Sequence, residues 1–385
     1  MPLTRPRLRP LFAVLTAASV LALVPGPARA GQAYDEARLQ RRLEELVDRA
    51  DGPPGVIAVL RHGSHREVLR AGVAELGTGR PPRPTDHMRI ASAAKAFSGA
   101  VALGLVDQGR LGLDDTLAQR LPALPAAWGA VTLRQLLNHT SGLPDYSGSP
   151  EFRAIIQADP HHRFDPHCLL DFVAGQELEF TPGSRYAYSN SDNIAVALMA
   201  EAVSGDRYED LLRTVVYRPL GLRQTSLPSG YRLPRPYLHG YAVRPPEAPE
   251  DVSTQFGASG AWASGGIVST PDDLARFMGG YAGGRLIGPV VRGQQLTFVD
   301  GASEPAGPGR NEAGLAIFRY TTRCGVVYGH TGNTAGYTQL AVGTPDGSRS
   351  LAFSVTSQVN QSGAPVLLAE LRDIQEDFVC ALLAH

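Results

Sequence analysis

Apolar positions along the chain follow two periods. Leu39, Leu43, Leu46 and Val47 recur at helical spacing and predict a helix over Asp35–Asp51. The unbroken run Val56–Leu60 and the segment Glu67–Val73 read as two strands joined by a turn, followed by a Gly/Pro loop from Gly77 to Pro84. Helical periodicity then dominates. It covers about Ser92 to Gln108, Thr132 to Asn138, Glu151 to Asp159, Pro166 to Gly175, Asn190 to Ser204 and Tyr208 to Tyr217. A Pro-rich excursion spans Pro234–Pro249, and helices return at Pro271–Tyr281 and Val290–Leu296. Strands follow at Leu315–Tyr320, Gly325–Tyr328, Thr338–Val342 and Leu351–Thr356, with a hairpin turn at Thr344–Gly347 and a closing helix from Ala364.

Strands at both ends of the chain need partners. The expected fold is therefore α/β of the α+β type: one mixed or antiparallel sheet made from both chain ends and flanked by helices. An all-helical lobe is inserted, and the cleft lies between the lobes. The boundaries expected are a leader over residues 1–30 and one domain over 31–385. Within it, 31–90 and 255–385 form the α/β lobe and 91–254 the helical lobe.

The leader reading rests on Arg5, Arg7 and Arg9, the apolar run Leu11–Val24 and the small-x-small triplet Ala28-Arg29-Ala30, the pattern of a cleavable secretory signal. The run is shorter than the roughly 20 residues a membrane span needs, so no stable membrane anchor is expected. Cleavage would remove four Arg and no acid, taking the formal net charge from −1 to −5. Charge balance this close to neutral argues against a nucleic-acid partner. Three Cys are too few for a disulfide scaffold, but export permits one bond. Cys324 with Cys380, leaving Cys168 free, is a candidate among three pairings that spacing does not separate.

Composition adds one sharp fact. Lys95 is the only Lys, and the other 35 basic residues are Arg. An Arg-codon bias explains the 35 but not the survivor. A Lys that must lose its proton cannot become Arg, whose guanidinium stays charged. Ser92 stands three residues earlier, on the same helix face and at the helix start, where free backbone N–H groups can stabilise an oxyanion. A Ser–Lys pair is one form of nucleophile and base. Tyr188-Ser189-Asn190 supplies a phenol and an amide before another helix. Gly329-His330-Thr331-Gly332-Asn333 puts small residues at the end of a predicted strand, where a substrate backbone can approach.

In that order, Ser-x-x-Lys, Tyr-x-Asn and His-Thr-Gly resemble the penicillin-recognising serine hydrolases, the serine β-lactamase/DD-peptidase superfamily. Supporting stretches are Leu136–Leu143, Thr181–Gly183 and Ser264–Thr270. The resemblance covers about Asp35 to His385 and is above all to secreted serine D-alanyl-D-alanine carboxypeptidases. Class C β-lactamases and family esterases are cousins. It implies a β-lactamase/transpeptidase-like fold with Ser92 as the acylated nucleophile. Lys95 and Tyr188 would share proton transfer, and Asn190 would bind the acyl amide. His330 would tune the field around Tyr188, and Thr331 would orient the substrate carboxylate. Backbone N–H groups of Ser92 and Asn333 would form the oxyanion hole. It implies no metal and no organic cofactor. The partners expected are a cell-wall peptide or other small acyl substrate, with β-lactams as covalent inhibitors of a secreted, monomeric enzyme.

Two departures bear on specificity. The similar carboxypeptidases carry a hydroxyl residue after His-Thr-Gly, where this chain has Asn333. They place an Arg on the preceding strand, where this chain has Phe318, with Arg319 one residue on and so facing the other way. The acyl-transfer residues are untouched. The first expectation is therefore a D-alanyl-D-alanine carboxypeptidase of the peptidoglycan-acting type. The alternative is an esterase or D-amino-acid-type peptidase or amidase on the same scaffold. A β-lactamase is disfavoured by His330, where those enzymes usually carry Lys. A non-catalytic penicillin-binding protein is disfavoured by the intact Ser92, Lys95 and Tyr188.

Other polar groups read as structural. His161, His162, Asp165, His167 and Cys168 form a polar loop and helix start rather than a metal site. His62 and His65 flank a strand turn. His139, beside a helix end, is expected to make a structural hydrogen bond, and Trp262 lines either the cleft or the core. There is no Gly-x-Ser-x-Gly elbow, His-Glu-x-x-His or Walker loop.

Overall fold

The structure, a computed structural model, describes residues 1–3 and 28–384, with side chains of the second stretch described from Glu36. The leader pattern from Arg5 to Val24 lies outside the described residues. One eight-stranded sheet organises the molecule. Its strands are β1 (Gly55–His62), β2 (His65–Gly72), β3 (Val299–Asp300), β4 (Arg310–Ala313), β5 (Phe318–Thr322), β6 (Gly325–Thr334), β7 (Tyr337–Gly343) and β8 (Arg349–Val355). Spatial order is β2-β1-β8-β7-β6-β5-β4-β3, and every neighbouring pair is antiparallel. Both chain ends build it, as expected, because β1 pairs with β8 across nearly the whole chain.

Alternation along β1 explains its unbroken apolar run. Val56, Ala58 and Leu60 join the core under α1 (Ala28–Asp48) and the closing α6 (Pro365–Ala384). Ile57 and Val59 join the larger core on the opposite face, where α5 (Pro271–Ala282) crosses β7 and β8. A strand covered on both faces has no polar side to show. Each fully buried Val, Ile or Leu among these contributes about 1.5–3 kcal/mol.

Between β2 and β3 the chain is mainly helical, with α2 (Ala94–Asp107), α3 (Pro150–Ala158) and α4 (Asn190–Ser204) placing the functional segments. α4 begins and ends where its pattern predicts, stopped by Gly205 at φ +73°. Two strand limits differ. Ala316 takes φ +52°, which breaks extended backbone, so β5 starts at Phe318 and not Leu315. β6 runs on from Tyr328 through the His-Thr-Gly motif to Thr334, despite its glycines. The Cys324–Cys380 disulfide ties the β5–β6 turn to α6, and Cys168 is free and exposed. Its span of 56 residues corresponds to about 4 kcal/mol in the chain-entropy account. Among the described residues no helix is long and apolar enough to cross a membrane.

Candidate active site

Ser92 sits in a 3₁₀ turn, Ala91–Ala93, that leads straight into α2. Ala91 holds φ +47°, a left-handed conformation costing roughly 1–2 kcal/mol, which the packed surroundings must sustain. Lys95 lies in the first turn of α2 and is 1% exposed. Its Nζ is 3.1 Å from Ser92 Oγ, 2.7 Å from Asn190 Oδ1 and 2.8 Å from the Ser264 carbonyl oxygen. Two of these partners can only accept, so they claim two N–H groups. The third position faces the Ser92 hydroxyl: an N–H when the amine is charged, a lone pair when it is neutral. Burial drives its pKa down to about 7, while the carboxylates of Asp145, Glu304 and Asp192 pull the other way.

Asp145 is a site residue that sequence reasoning missed. Its Oδ2 accepts from both the backbone N–H and the side-chain amide of Asn190. It thus places a negative charge at the N-terminus of α4, where the helix dipole favours one. The Asn190 amide bridges Asp145 and Ser147 on one side to Lys95 on the other. The signal was Pro144-Asp145, directly after the noted Leu136–Leu143 stretch.

The Tyr188 ring lies 4.9 Å from Lys95 Nζ, with its hydroxyl buried. That hydroxyl makes no hydrogen bond of standard geometry. It is close enough to Ser92 to oppose, but not reverse, the strong upward push of burial on its pKa. The phenol therefore stays protonated. Behind it stands a buried network: His139 Nδ1 is 2.7 Å from Asp192 Oδ2, and Ser141 donates to Asp192. The His139 ring packs on Tyr188 at 4.5 Å, and its carbonyl accepts from Ala187 N–H. His139 makes the structural bond expected of it, at φ +58°.

The remaining motif residues lie on β6. Gly325–Gly329 pair with β5 on one edge and the strand pairs with β7 on the other, but His330–Thr334 pair with β7 alone. This half-strand leaves one sheet edge free beside Ser92. Gly332 allows the approach, since a Cβ there would stand 2.2 Å from the Ile90 carbonyl oxygen. His330 is fully buried. Its Nδ1 must donate to the Thr331 carbonyl at 2.6 Å, and burial lowers its pKa to about 3, so the ring is neutral. Thr331 is 2% exposed and its hydroxyl donates to the Pro305 carbonyl. The Asn333 amide donates to Thr338 Oγ1 and the Val359 carbonyl and accepts from Gln358 and Asn360. Its side chain is thus committed to the fold, while the residue lines the cleft beside Ser92.

Gly332→Ala tests this approach. The substitution should lower stability by about 1–3 kcal/mol and turnover at least ~10-fold, because β6 must retreat from the Ser92 turn. Thermal denaturation and ester turnover check it, and wild-type values in both would show that the contact does not position the strand.

Of the other polar groups, His139 packs against Tyr188 and the exposed His162 lines the cleft near Ser92, while the rest are bonded elsewhere. His161 Nε2 bonds the Thr254 carbonyl, and His167 bonds Asp165 and Glu201. Trp262 belongs to the core, its indole donating to Glu209. Phe318 packs its ring against His330 at 5.0 Å, while Arg319 is paired with Glu312 and stacked on Phe298.

A serine, a buried amine beside it and a protonated phenol, on this sheet-and-helix scaffold, define a class of acyl-transferring serine hydrolases. The Beta-lactamase family profile matches residues 39–375, and the chain belongs to this family of serine β-lactamases, penicillin-binding proteins and DD-peptidases. It is 30% identical to penicillin-binding protein 4* of Bacillus subtilis over 219 residues, covering 54% of this chain and 47% of that one. It is 28% identical to the D-alanyl-D-alanine-carboxypeptidase/endopeptidase AmpH of Escherichia coli K12, covering 62% and 61%. The chain thus spans about half to three-fifths of these curated relatives. A solved D-stereospecific amidohydrolase from Streptomyces sp. is 31% identical with TM-score 0.75, covering 88% of this chain and 98% of that one.

Proposed function

We propose that the protein hydrolyses amide bonds of small D-configured amino-acid amides or peptides through an acylated Ser92. Neutral Lys95 takes the Ser92 proton as Oγ attacks the carbonyl carbon. The backbone N–H groups of Ser92 and Asn333 receive the developing oxyanion. The C–N bond breaks as Tyr188 donates its proton to the leaving nitrogen and regains one from the Lys95 ammonium. Water then attacks the acyl-enzyme, and the same groups return Ser92 to its starting form.

The observation that carries the choice of substrate is the charge at the polar end of the cleft. The position facing His330 on β5 is Phe318, and the next residue, Arg319, is bound to Glu312. Glu304 lines the cleft beside Ser92, with no hydrogen-bonded or ion-pair partner among the described residues, and burial raises its pKa. Ionised, Glu304 repels a terminal carboxylate; protonated, it offers that carboxylate no counter-charge, so either form disfavours such a substrate. The 31% identity to a D-stereospecific amidohydrolase across nearly its whole length supports the same reading. One observation favours D-alanyl-D-alanine carboxypeptidase activity as the second reading. Arg372 lines this end of the cleft, although its Nε and Nη2 already donate to the Gly307 and Gly309 carbonyls. The leader pattern and the Cys324–Cys380 bond support action outside the cytosol, where disulfides persist. β-Lactams should acylate Ser92.

The test is amine release from D- and L-amino-acid amides beside D-Ala release from a diacylated Lys-D-Ala-D-Ala tripeptide. The Ser92→Ala protein is the control. The expected result is D-amide turnover on the order of 100-fold faster than for the L-amide and than for the tripeptide. Ser92-dependent D-Ala release without amide turnover would overturn the amidase reading in favour of the carboxypeptidase.

A further inference from the structure

The cleft divides at Ser92 into two unlike halves. One, of about 610 Å³, is polar and carries Glu304, Asn360 and Arg372. The other, of about 280 Å³, runs under the helical segments and is walled mainly by Tyr146, Phe152, Ile156, Phe164 and Phe256, with the exposed His162 set against Phe164 and with Ser92 and Asn190 at its mouth. The rings are packed on one another: Tyr146 meets Phe152 edge-on at 5.1 Å, and Phe152 lies 4.8 Å from Phe164. Gly260 keeps the space between wall and mouth open. A Cβ there would stand 3.1 Å from Phe164 Cδ2 and 3.4 Å from Phe152 Cζ. The Tyr146 hydroxyl donates to the Gly260 carbonyl and meets Ser264 Oγ at 3.2 Å, and the Ser264 carbonyl holds Lys95. The wall is therefore tied to the catalytic network.

We infer that this half is the acyl side-chain pocket, and that it selects a bulky apolar side chain, aromatic above all, against the methyl of D-Ala. The inference deepens the amidase reading and rests on it for the amide substrates. An apolar cavity of about 150 Å³ suffices to hold benzene, so a benzyl group fits this pocket with room to turn. Ring edges and faces around it give an aromatic guest the offset contacts that aromatic pairs prefer. A methyl group would reach few of these walls and leave most of the apolar surface uncovered.

The experiment compares kcat/KM for the amides of D-Phe, D-Leu and D-Ala. In parallel it compares p-nitrophenyl 3-phenylpropanoate with p-nitrophenyl acetate, which probe the pocket without needing amidase activity. The expected preference for the aromatic member of each series is on the order of 100-fold. Ile156→Trp, which fills the pocket from α3, should reduce that preference at least ~10-fold. Phe164→Ala, at a half-buried position, should reduce it by removing a wall, and serves if the Trp variant fails to fold. Aromatic preference among the esters with inert amides keeps the pocket and overturns the amidase reading. D-Ala amide turned over as well as D-Phe amide keeps the amidase and overturns the pocket. Equal ester rates, or a preference that neither variant changes, also overturn it.

Discussion

Ser92→Ala lowers turnover of any accepted substrate by about 10⁴- to 10⁶-fold, on the scale found when a nucleophile acting with its base is removed. Covalent labelling by a fluorescent penicillin is lost with it. The fold should survive, because Lys95 keeps Asn190 Oδ1 and the Ser264 carbonyl as partners when the hydroxyl is gone. The substitution removes only Oγ and leaves a residue that the 3₁₀ turn Ala91–Ala93 accommodates, so the melting temperature should stay within a few degrees. The check is burst-phase labelling and steady-state turnover beside a thermal melt. A labelled Ser92→Ala protein would mean the nucleophile lies elsewhere.

Lys95→Arg is nearly as damaging, with an expected loss of about 10³- to 10⁴-fold, the upper range for general acid–base catalysis. The wild-type amine is neutral above about pH 7, because burial lowers its pKa. As pH rises through 7 the ammonium gives up its proton, the lone pair faces Ser92, and kcat/KM should climb to a plateau. The protonated Tyr188 sets no competing limb in this range, since its pKa is pushed well above the ordinary phenol value. Arg cannot deprotonate, so the variant should show only a flat residual rate across this range. It also brings a larger, permanently charged group to a site where the wild-type Lys95 is 1% exposed, so some stability is lost as well. Lys95→Ala supplemented with a small primary amine separates the two effects. Rescue that rises with amine basicity and pH supports neutral-amine catalysis. An active Lys95→Arg enzyme with an unchanged pH profile would sink it.

Much of this site was legible before the structure. The lone Lys three residues after Ser92 pointed to a deprotonating amine, and the geometry puts the two 3.1 Å apart. Tyr188 and Asn190 were placed at the start of a helix whose limits the pattern located. Less legible was what the side chains of β6 do. Thr331 and Asn333 read as substrate contacts, yet both spend their polar atoms on Pro305, Thr338, Val359 and the Asn360 loop. Strand registers alternate faces but do not say which neighbour waits on a face.

The sequence by itself determined the local features: the helix and strand periods and the i, i+3 pairing of Ser92 with Lys95. These depend on residues within a turn or two of one another. Only the tertiary structure decided the rest. The Ser264 carbonyl that orients Lys95 has no side-chain signature, because any residue carries one. Asp145, Glu304 and the aromatic wall act on Ser92 only because segments far apart in sequence are packed around one cleft. The continuation of β6 past Gly329 depends on β7 beside it and on the Ser92 turn that only a glycine lets so near. Propensity weighs each residue against its chain neighbours, whereas β6 is held by a partner strand, and that contact energy outweighs the local preference of glycine to break it.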